Sequence, residues 1–180
     1  METAIRIVRS AELTAAEWSA LTDLCVAAFN EDWGGYWESI GPGVHVMAED
    51  RDGRILAHAA IVERVLYPGD ARIRTGYVEA VAVAPELQRQ GLGTEVMEVI
   101  DHMIDEEYEL GALGTGSHGF YARLGWVTWR GPAWIRERDS SLRRSPDEDG
   151  NIMVRLTPMT PPDLDLTLPI AVDWRPGEVW

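Results

Sequence analysis

The sequence contains no lysine: its 16 basic residues are all arginine and stand against 30 acidic ones, for a formal net charge of −14 over 180 residues. That scarcity of positive charge argues against nucleic acid as a partner, since affinity for a phosphate backbone comes from clustered cations. The same acidity keeps a protein soluble, and it also concentrates polycationic small molecules near the surface. Cysteine is nearly absent. The single Cys25 cannot close an internal disulfide, which suits a reducing compartment. No apolar run approaches bilayer length, and the opening METAIRIVRS has no signal-like hydrophobic region. A cytoplasmic protein with no membrane partner is expected. The length suits a single domain over residues 1–180.

Residues 4–9 alternate apolar and charged, as a half-buried strand does. Thr14-Ala-Ala-Glu17 is a capping-box pattern and predicts a helix to about Phe29, with Leu21, Leu24, Cys25 and Ala28 on one face. Cys25 is thereby a small core residue rather than a nucleophile. Residues 30–43, rich in Gly and Trp, read as a loop with at most a short helix. Strands are expected at 44–49, 54–66 and 72–83, with turns at Asp52-Gly53 and Tyr67–Asp70. A helix follows from Gly91 to about Glu107. Its buried stripe is Leu92, Val96, Val99, Ile100 and Met103, and Glu95, Glu98, Asp101 and Asp105 face water. A strand (110–115), a short helix (118–124) and a strand (126–130) come next. Residues 131–150 read as a loop with an acidic tip, 151–156 as a last strand, and 157–180 as a Pro-interrupted tail.

The informative stretch is Val78–Gly93, VEAVAVAPELQRQGLG. Gln88-x-x-Gly91-x-Gly93 follows a strand and precedes an amphipathic helix. Glycines let backbone approach a ligand closely, and a helix N-terminus aims free N–H groups at an anion. A pyrophosphate fits there without a lysine. A dinucleotide fingerprint fits less well, because the third glycine is missing and the glycines follow a long loop rather than the strand itself.

This segment resembles the acyl-CoA site of the GCN5-related (GNAT) acetyltransferase superfamily, and Phe120-Tyr121-Ala-Arg-Leu-Gly125-Trp126 resembles a second motif of that family. AHAAIVERVLYPGDARIRTGYVEAVAV (57–83), LGALGTG (110–116), RSPDEDG (144–150) and DWRPGEVW (173–180) are together similar to the aminoglycoside 2'-N-acetyltransferases. The resemblance implies an α/β protein of α+β type: a mixed, mostly antiparallel central sheet flanked by helices in one domain. It implies acetyl-CoA as co-substrate, no metal, and a homodimer.

Acetyl transfer to an amine needs a held thioester, a neutral nucleophile and stabilisation of the charge that develops. The resemblance puts acyl-CoA along Val81, Ala82 and Val83, with the Val81 N–H aimed at the acetyl oxygen. It puts the pyrophosphate on Gln88, Arg89, Gln90, Gly91, Leu92 and Gly93. An ammonium must lose a proton before attack, and Glu79, two residues from Val81 on the same strand, is the candidate base, working through water. Tyr121 would protonate the leaving thiolate. The acceptor set carried over is Asp32, Glu79, Ala80, Gly114, Asp147, Glu148, Glu178 and the Trp180 carboxylate, suited to several ammonium groups at once.

Departures from the family pattern fall on the acceptor side. Tyr36 stands where relatives carry an acid, Glu148 and Glu178 stand where aspartate is common, and Gly114 replaces a hydroxyl residue. They fit kasugamycin as well as a deoxystreptamine drug. Trp33, Trp37, Trp134 and Trp174 offer possible faces for sugar rings, and His118 a possible substrate contact. Two other readings stay open: a GNAT enzyme for a polyamine, peptide or metabolite, and a binding module that captures antibiotic or acyl-CoA without turnover.

Overall fold

Thr14 starts the first long helix as its sequence requires: its hydroxyl accepts the Glu17 N–H at 3.3 Å, and the Glu17 carboxylate accepts the Thr14 N–H at 2.7 Å. Those bonds, with the Arg6 guanidinium at 2.5 Å, hold the Glu17 carboxyl down at about 2. The computed structural model describes residues 2–177 and 179–180. They fall into two compact units: the chain up to Val62 with Val78–Ile100, and Glu63–Tyr77 with the chain from Asp101 onward.

The first unit opens with strand β1 (Ala4–Arg9), followed by helix α1 (Ala15–Phe29) and the short helix α2 (Tyr36–Ile40). α1 stops where Asn30 turns left-handed at φ 57°. Strand β2 (Val44–Glu49) pairs antiparallel with β1 and with β3 (Ile55–Pro68), placing Met47 opposite His58 and His45 opposite Ala60. Strand β4 (Ile73–Val83) lies next to β3, and both run through the two units. A single 3-10 turn at Pro85–Leu87 leads toward helix α3 (Leu92–Glu107). The core of this unit gathers Leu21, Leu24 and Cys25 of α1 with Trp33, Met47, Ala80 and Ala82. Burial pushes the Cys25 thiol up to about 12, so it is an inert core group.

The second unit adds strand β5 (Leu110–Gly114), helix α4 (His118–Arg123), strand β6 (Val127–Thr128), strands β7 (Ala133–Arg136) and β8 (Leu142–Arg144), strand β9 (Ile152–Leu156) and strand β10 (Ile170–Asp173). The strand order is β6-β9-β5-β4-β3-β10-β7-β8. β5 runs parallel to β4 over Thr75–Tyr77 and β10 runs parallel to β7, whereas β10–β3, β5–β9, β6–β9 and β7–β8 pair antiparallel. The mixed, mostly antiparallel sheet with helices is the architecture expected. Its core packs Leu66, Tyr77, Leu110, Trp129, Ile135 and Val172.

Several expectations need correction. Residues 131–150 are not a plain loop, because β7 and β8 form a hairpin there. β9 is not the last strand. Ile170–Asp173 in the tail inserts between β3 and β7 as β10. The turn after β3 is confined to Gly69 and Asp70, and the strand expected at 126–130 shrinks to Val127–Thr128. Asp101 and Asp105 do not simply face water. Asp101 is buried and accepts the Trp126 indole N–H at 2.9 Å, and Arg155 bonds Asp101 at 3.2 Å and Asp105 at 2.6 Å.

Candidate active site

In the first unit, Glu79 sits on β4 with 6% of its surface exposed, a position a carboxylate occupies only with partners. One partner comes from the Gly- and Trp-rich segment: the Tyr36 hydroxyl of α2 donates to Glu79 Oε2 at 2.8 Å. Tyr36 is held among aromatic rings, 4.1 Å from Trp33 and 6.0 Å from Trp37 between centroids. The next residue, Ala80, has φ 54°, a left-handed conformation in the middle of a strand. A non-glycine residue held this way stores about 1–3 kcal/mol and marks a functional position when its surroundings enforce it. The two-residue pleat that would place Glu79 and Val81 on one face therefore does not run through Ala80. Ala82 is buried in the core with Ala80, and Val81 and Val83 are half-buried.

Beyond β4, Gln88, Arg89, Gln90 and Gly91 are exposed, Gly93 is half-buried and Leu92 is buried at the start of α3. Arg89 and Gly91 both take positive φ, 61° and 99°. Gly91 is needed for that backbone, not for space: a Cβ there would meet nothing within 4 Å. The turn thus delivers the chain to the N-terminal end of a 16-residue helix, whose first N–H groups lack partners inside the helix. Asp32 is exposed and folds back on its own loop, accepting the Gly34 N–H at 2.9 Å. An open groove of about 650 Å³ lined by Ala20, Asp23, Leu24, Arg54, Pro85 and Glu86, among others, includes none of the candidate catalytic, acetyl-CoA or acceptor residues.

In the second unit, Tyr121 lies on α4, 7% exposed, against Phe120 and Trp126. Burial pushes its phenol up to about 12, so it holds its proton throughout the neutral range. Gly114 ends β5. A Cβ at Gly114 would lie 3.5 Å from the Tyr77 hydroxyl and 4.0 Å from the main-chain carbonyl carbon of Trp180. Arg64 holds the tail there: its guanidinium donates to the Asp173 carbonyl at 2.8 Å and to the Val179 carbonyl. Trp180 is itself buried in the core of this unit.

The turn carrying Asp147 and Glu148 joins the same end of β5. Gly114 pairs with Ile152, Thr115 N–H donates to the Asn151 carbonyl at 2.9 Å, and the His118 ring bonds the Gly150 carbonyl at 2.7 Å. Asp147 is exposed and Glu148 half-buried, while Asp149 is committed to Arg144 at 2.7 Å and to the Ala133 N–H at 2.8 Å. The structure therefore brings Gly114 beside Trp180, pairs the chain that follows the Asp147–Glu148 turn with the end of β5, and joins Glu79 with Tyr36. Glu178 lies outside the described residues. Trp33 is buried, and guanidinium groups cover Trp134 (Arg144, 5.2 Å) and Trp174 (Arg138, 4.1 Å). Those rings are packing partners rather than open sugar platforms.

Residues 10–126 match the acetyltransferase (GNAT) family. Over 178 residues the chain is 33% identical to an aminoglycoside 2'-N-acetyltransferase of Mycolicibacterium fortuitum, covering 97% of this chain and 91% of that protein. The chain belongs to the GNAT acetyltransferase family. Solved structures agree on the fold. A GNAT family N-acetyltransferase from Escherichia coli in complex with CoA superposes with a TM-score of 0.65 at 15% identity, covering 94% of this chain and 89% of that one. An acyl-CoA N-acyltransferase from Pseudomonas aeruginosa gives 0.60 at 20% identity, covering 86% and 99%. No helix among the described residues is long and apolar enough to cross a membrane.

Two features around the candidate site escaped sequence reasoning. Tyr36 as the partner of Glu79 is one, although its departure from the pattern the resemblance implies was a signal. The other is a pair of buried histidines, His45 and His58, 1% and 0% exposed. Their signal was position: each interrupts an otherwise apolar strand at a place whose neighbours are core.

Proposed function

We propose that this GNAT enzyme transfers the acetyl group of acetyl-CoA to an amine, the 2' amine in the first instance, of an aminoglycoside-type antibiotic, and that the modification confers resistance. One observation carries the acceptor side. The tail folds into the second unit so that the main chain of Trp180 lies beside Gly114, whose strand partner Ile152 follows shortly after the Asp147–Glu148 turn. A chain with net charge −14 and an acidic Asp147–Glu148 turn shortly before the strand that pairs with Gly114 suits a ligand bearing several ammonium groups. The likeness to the M. fortuitum protein supports the same acceptor class.

The backbone between Val81 and Gly93 fits acetyl-CoA. The left-handed Gly91 opens the turn onto the start of α3, where amide N–H groups suit a pyrophosphate. In this reading the Val81 N–H donates to the acetyl oxygen as charge builds on it. Glu79, through water, takes a proton from the substrate ammonium, and the freed amine attacks the thioester carbon. As the C–S bond breaks, Tyr121 donates to the thiolate, and the second proton lost from nitrogen restores the phenol. The products are the N-acetylated antibiotic and CoA. A homodimer is proposed on the same resemblance.

The test is thiol release from acetyl-CoA across a panel of amines. Release with aminoglycosides and not with spermine or peptides supports this reading. Release with spermine or peptides alone turns it into a GNAT enzyme for another amine. Tight binding of antibiotic without release makes the chain a capture module. Including kasugamycin beside deoxystreptamine drugs decides which acceptor the departures at Tyr36, Gly114, Glu148 and Glu178 suit.

A further inference from the structure

The carbonyl of the strained Ala80 ends a buried chain of hydrogen bonds. His58 Nδ1 lies 2.9 Å from the Ala80 oxygen, His45 Nδ1 lies 2.9 Å from His58 Nε2, and Ser10 Oγ lies 2.9 Å from His45 Nε2. A carbonyl only accepts, so His58 Nδ1 carries a proton. In a neutral ring that leaves Nε2 as acceptor, so His45 Nδ1 donates to it, and His45 Nε2 is left as an acceptor facing the Ser10 hydroxyl. Ser10 Oγ is itself fixed by the Gly43 N–H at 2.8 Å. The two histidine N–H groups thus point one way, from His45 toward Ala80, while the Ser10 hydrogen has a second acceptor in the Gly43 carbonyl at 3.1 Å. Both rings are kept neutral by burial, which holds His45 down at about 4 and His58 at about 3. Trp18 stands edge-on to His45 (5.2 Å, 90°) and Trp37 edge-on to His58 (5.7 Å, 87°), leaving the rings no room to swing.

The consequence lies in the geometry of one peptide group. The Ala80 C=O and the Val81 N–H belong to the same planar trans unit, so they point in opposite directions. A donor that grips the oxygen fixes where the N–H aims. It also polarises the amide, strengthening it as a donor on the far side. We propose that His58, oriented by His45 and Ser10, is a positioning residue that holds the left-handed Ala80 peptide so that the Val81 N–H is aimed and polarised for the acetyl oxygen. The inference rests on the acetyl-transfer reading above, and nothing in it requires histidine to touch substrate or exchange a proton.

Replacing His58 with Leu removes the grip, and His58→Asn returns an N–H near the position of Nδ1. Loss of an oxyanion donor costs about 10²–10³ in kcat, and a misaimed donor less, so H58L should lose about 10–100-fold in kcat. The KM for acetyl-CoA should stay within about threefold, since the ground-state carbonyl gains little from this bond. H58N should recover most of the lost kcat. Nitrogen-15 NMR of the wild-type protein gives an independent reading: His58 should show the Nδ1–H tautomer, against the preference of neutral imidazole in water for Nε2–H. An H58L protein that turns over at the wild-type rate, or a His58 ring protonated on Nε2, overturns the inference. If H58L does not fold, the tautomer and the H58N kinetics decide it. A wild-type protein that binds acetyl-CoA but acetylates no amine overturns the underlying reading instead, and the two failures are told apart by that control.

Discussion

Tyr36 donates its hydroxyl hydrogen to the Glu79 carboxylate across 2.8 Å, so a residue of the short helix α2 sets the orientation of the proposed base on β4. Glu79→Gln removes the proton acceptor while keeping the shape. It should lower kcat/KM by about 10²–10⁴-fold near neutral pH, and by much less at alkaline pH, where the amine deprotonates unaided. A pH–rate profile unchanged in shape removes Glu79 from the chemistry. Tyr36→Phe should cost about tenfold in kcat, as expected for one hydrogen bond to a charged group.

Arg64 ties the tail to the fold through the carbonyls of Asp173 and Val179. Deleting Val179 and Trp180 removes the Trp180 main chain, with the carboxylate proposed to bind the acceptor, from beside Gly114. Its effect should fall on the acceptor, with KM raised by about tenfold or more, the scale of a lost charge-assisted contact. The acetyl-CoA Kd should be unchanged. Arg64→Ala should reproduce part of that loss. Loss of acetyl-CoA binding instead would put the tail elsewhere in the mechanism.

Asp101 joins Arg155 and the Trp126 indole in a buried cluster. Asp101→Ala leaves the indole N–H without its acceptor and the guanidinium with Asp105 and the Leu124 carbonyl. The cost should be about 3 kcal/mol of stability, read as a lowered urea midpoint at constant m.

Acid should destabilise the fold before its carboxylates protonate. His45 and His58 are held at about 4 and about 3 when folded, against an ordinary 6.5. Below 6.5 the unfolded chain therefore binds protons that the folded chain refuses, and stability rises with pH across that window. Each histidine contributes a slope of up to about 1.4 kcal/mol per pH unit. Glu17, held at about 2, acts in a lower window: its stabilisation is present above 4.5 and is lost as pH falls toward 2. Urea midpoints between pH 7 and pH 5 read the histidines separately from Glu17. A flat midpoint over that range would contradict their burial as neutral rings.

What the sequence disclosed was what local chemistry decides. Thr14 and Glu17 cap α1 across one helical turn, and the alternation in Ala4–Arg9 needs no distant partner to be recognised. Features fixed by distant partners stayed hidden. The four-residue strands Ala133–Arg136 and Ile170–Asp173 acquire their identity by pairing with each other, though the short apolar run after Pro169 was a usable signal. Asp101 looked like a solvent-facing helical acid because Arg155 lies far along the chain. For the site, a family motif indicated Glu79, Tyr121 and the Gln88–Gly93 turn. Nothing in VEAVAV announces a left-handed alanine, and only the fold brings His58 to its carbonyl.

The central claim is acetyl transfer to one amine of an aminoglycoside. The most direct measurement is product analysis by mass spectrometry and NMR after incubation with acetyl-CoA and a deoxystreptamine antibiotic. One acetyl group, carried on the 2' nitrogen and absent when Glu79→Gln replaces the native enzyme at neutral pH, is the expected result. Recovery of unmodified antibiotic alongside intact acetyl-CoA, with both shown to bind, would contradict it.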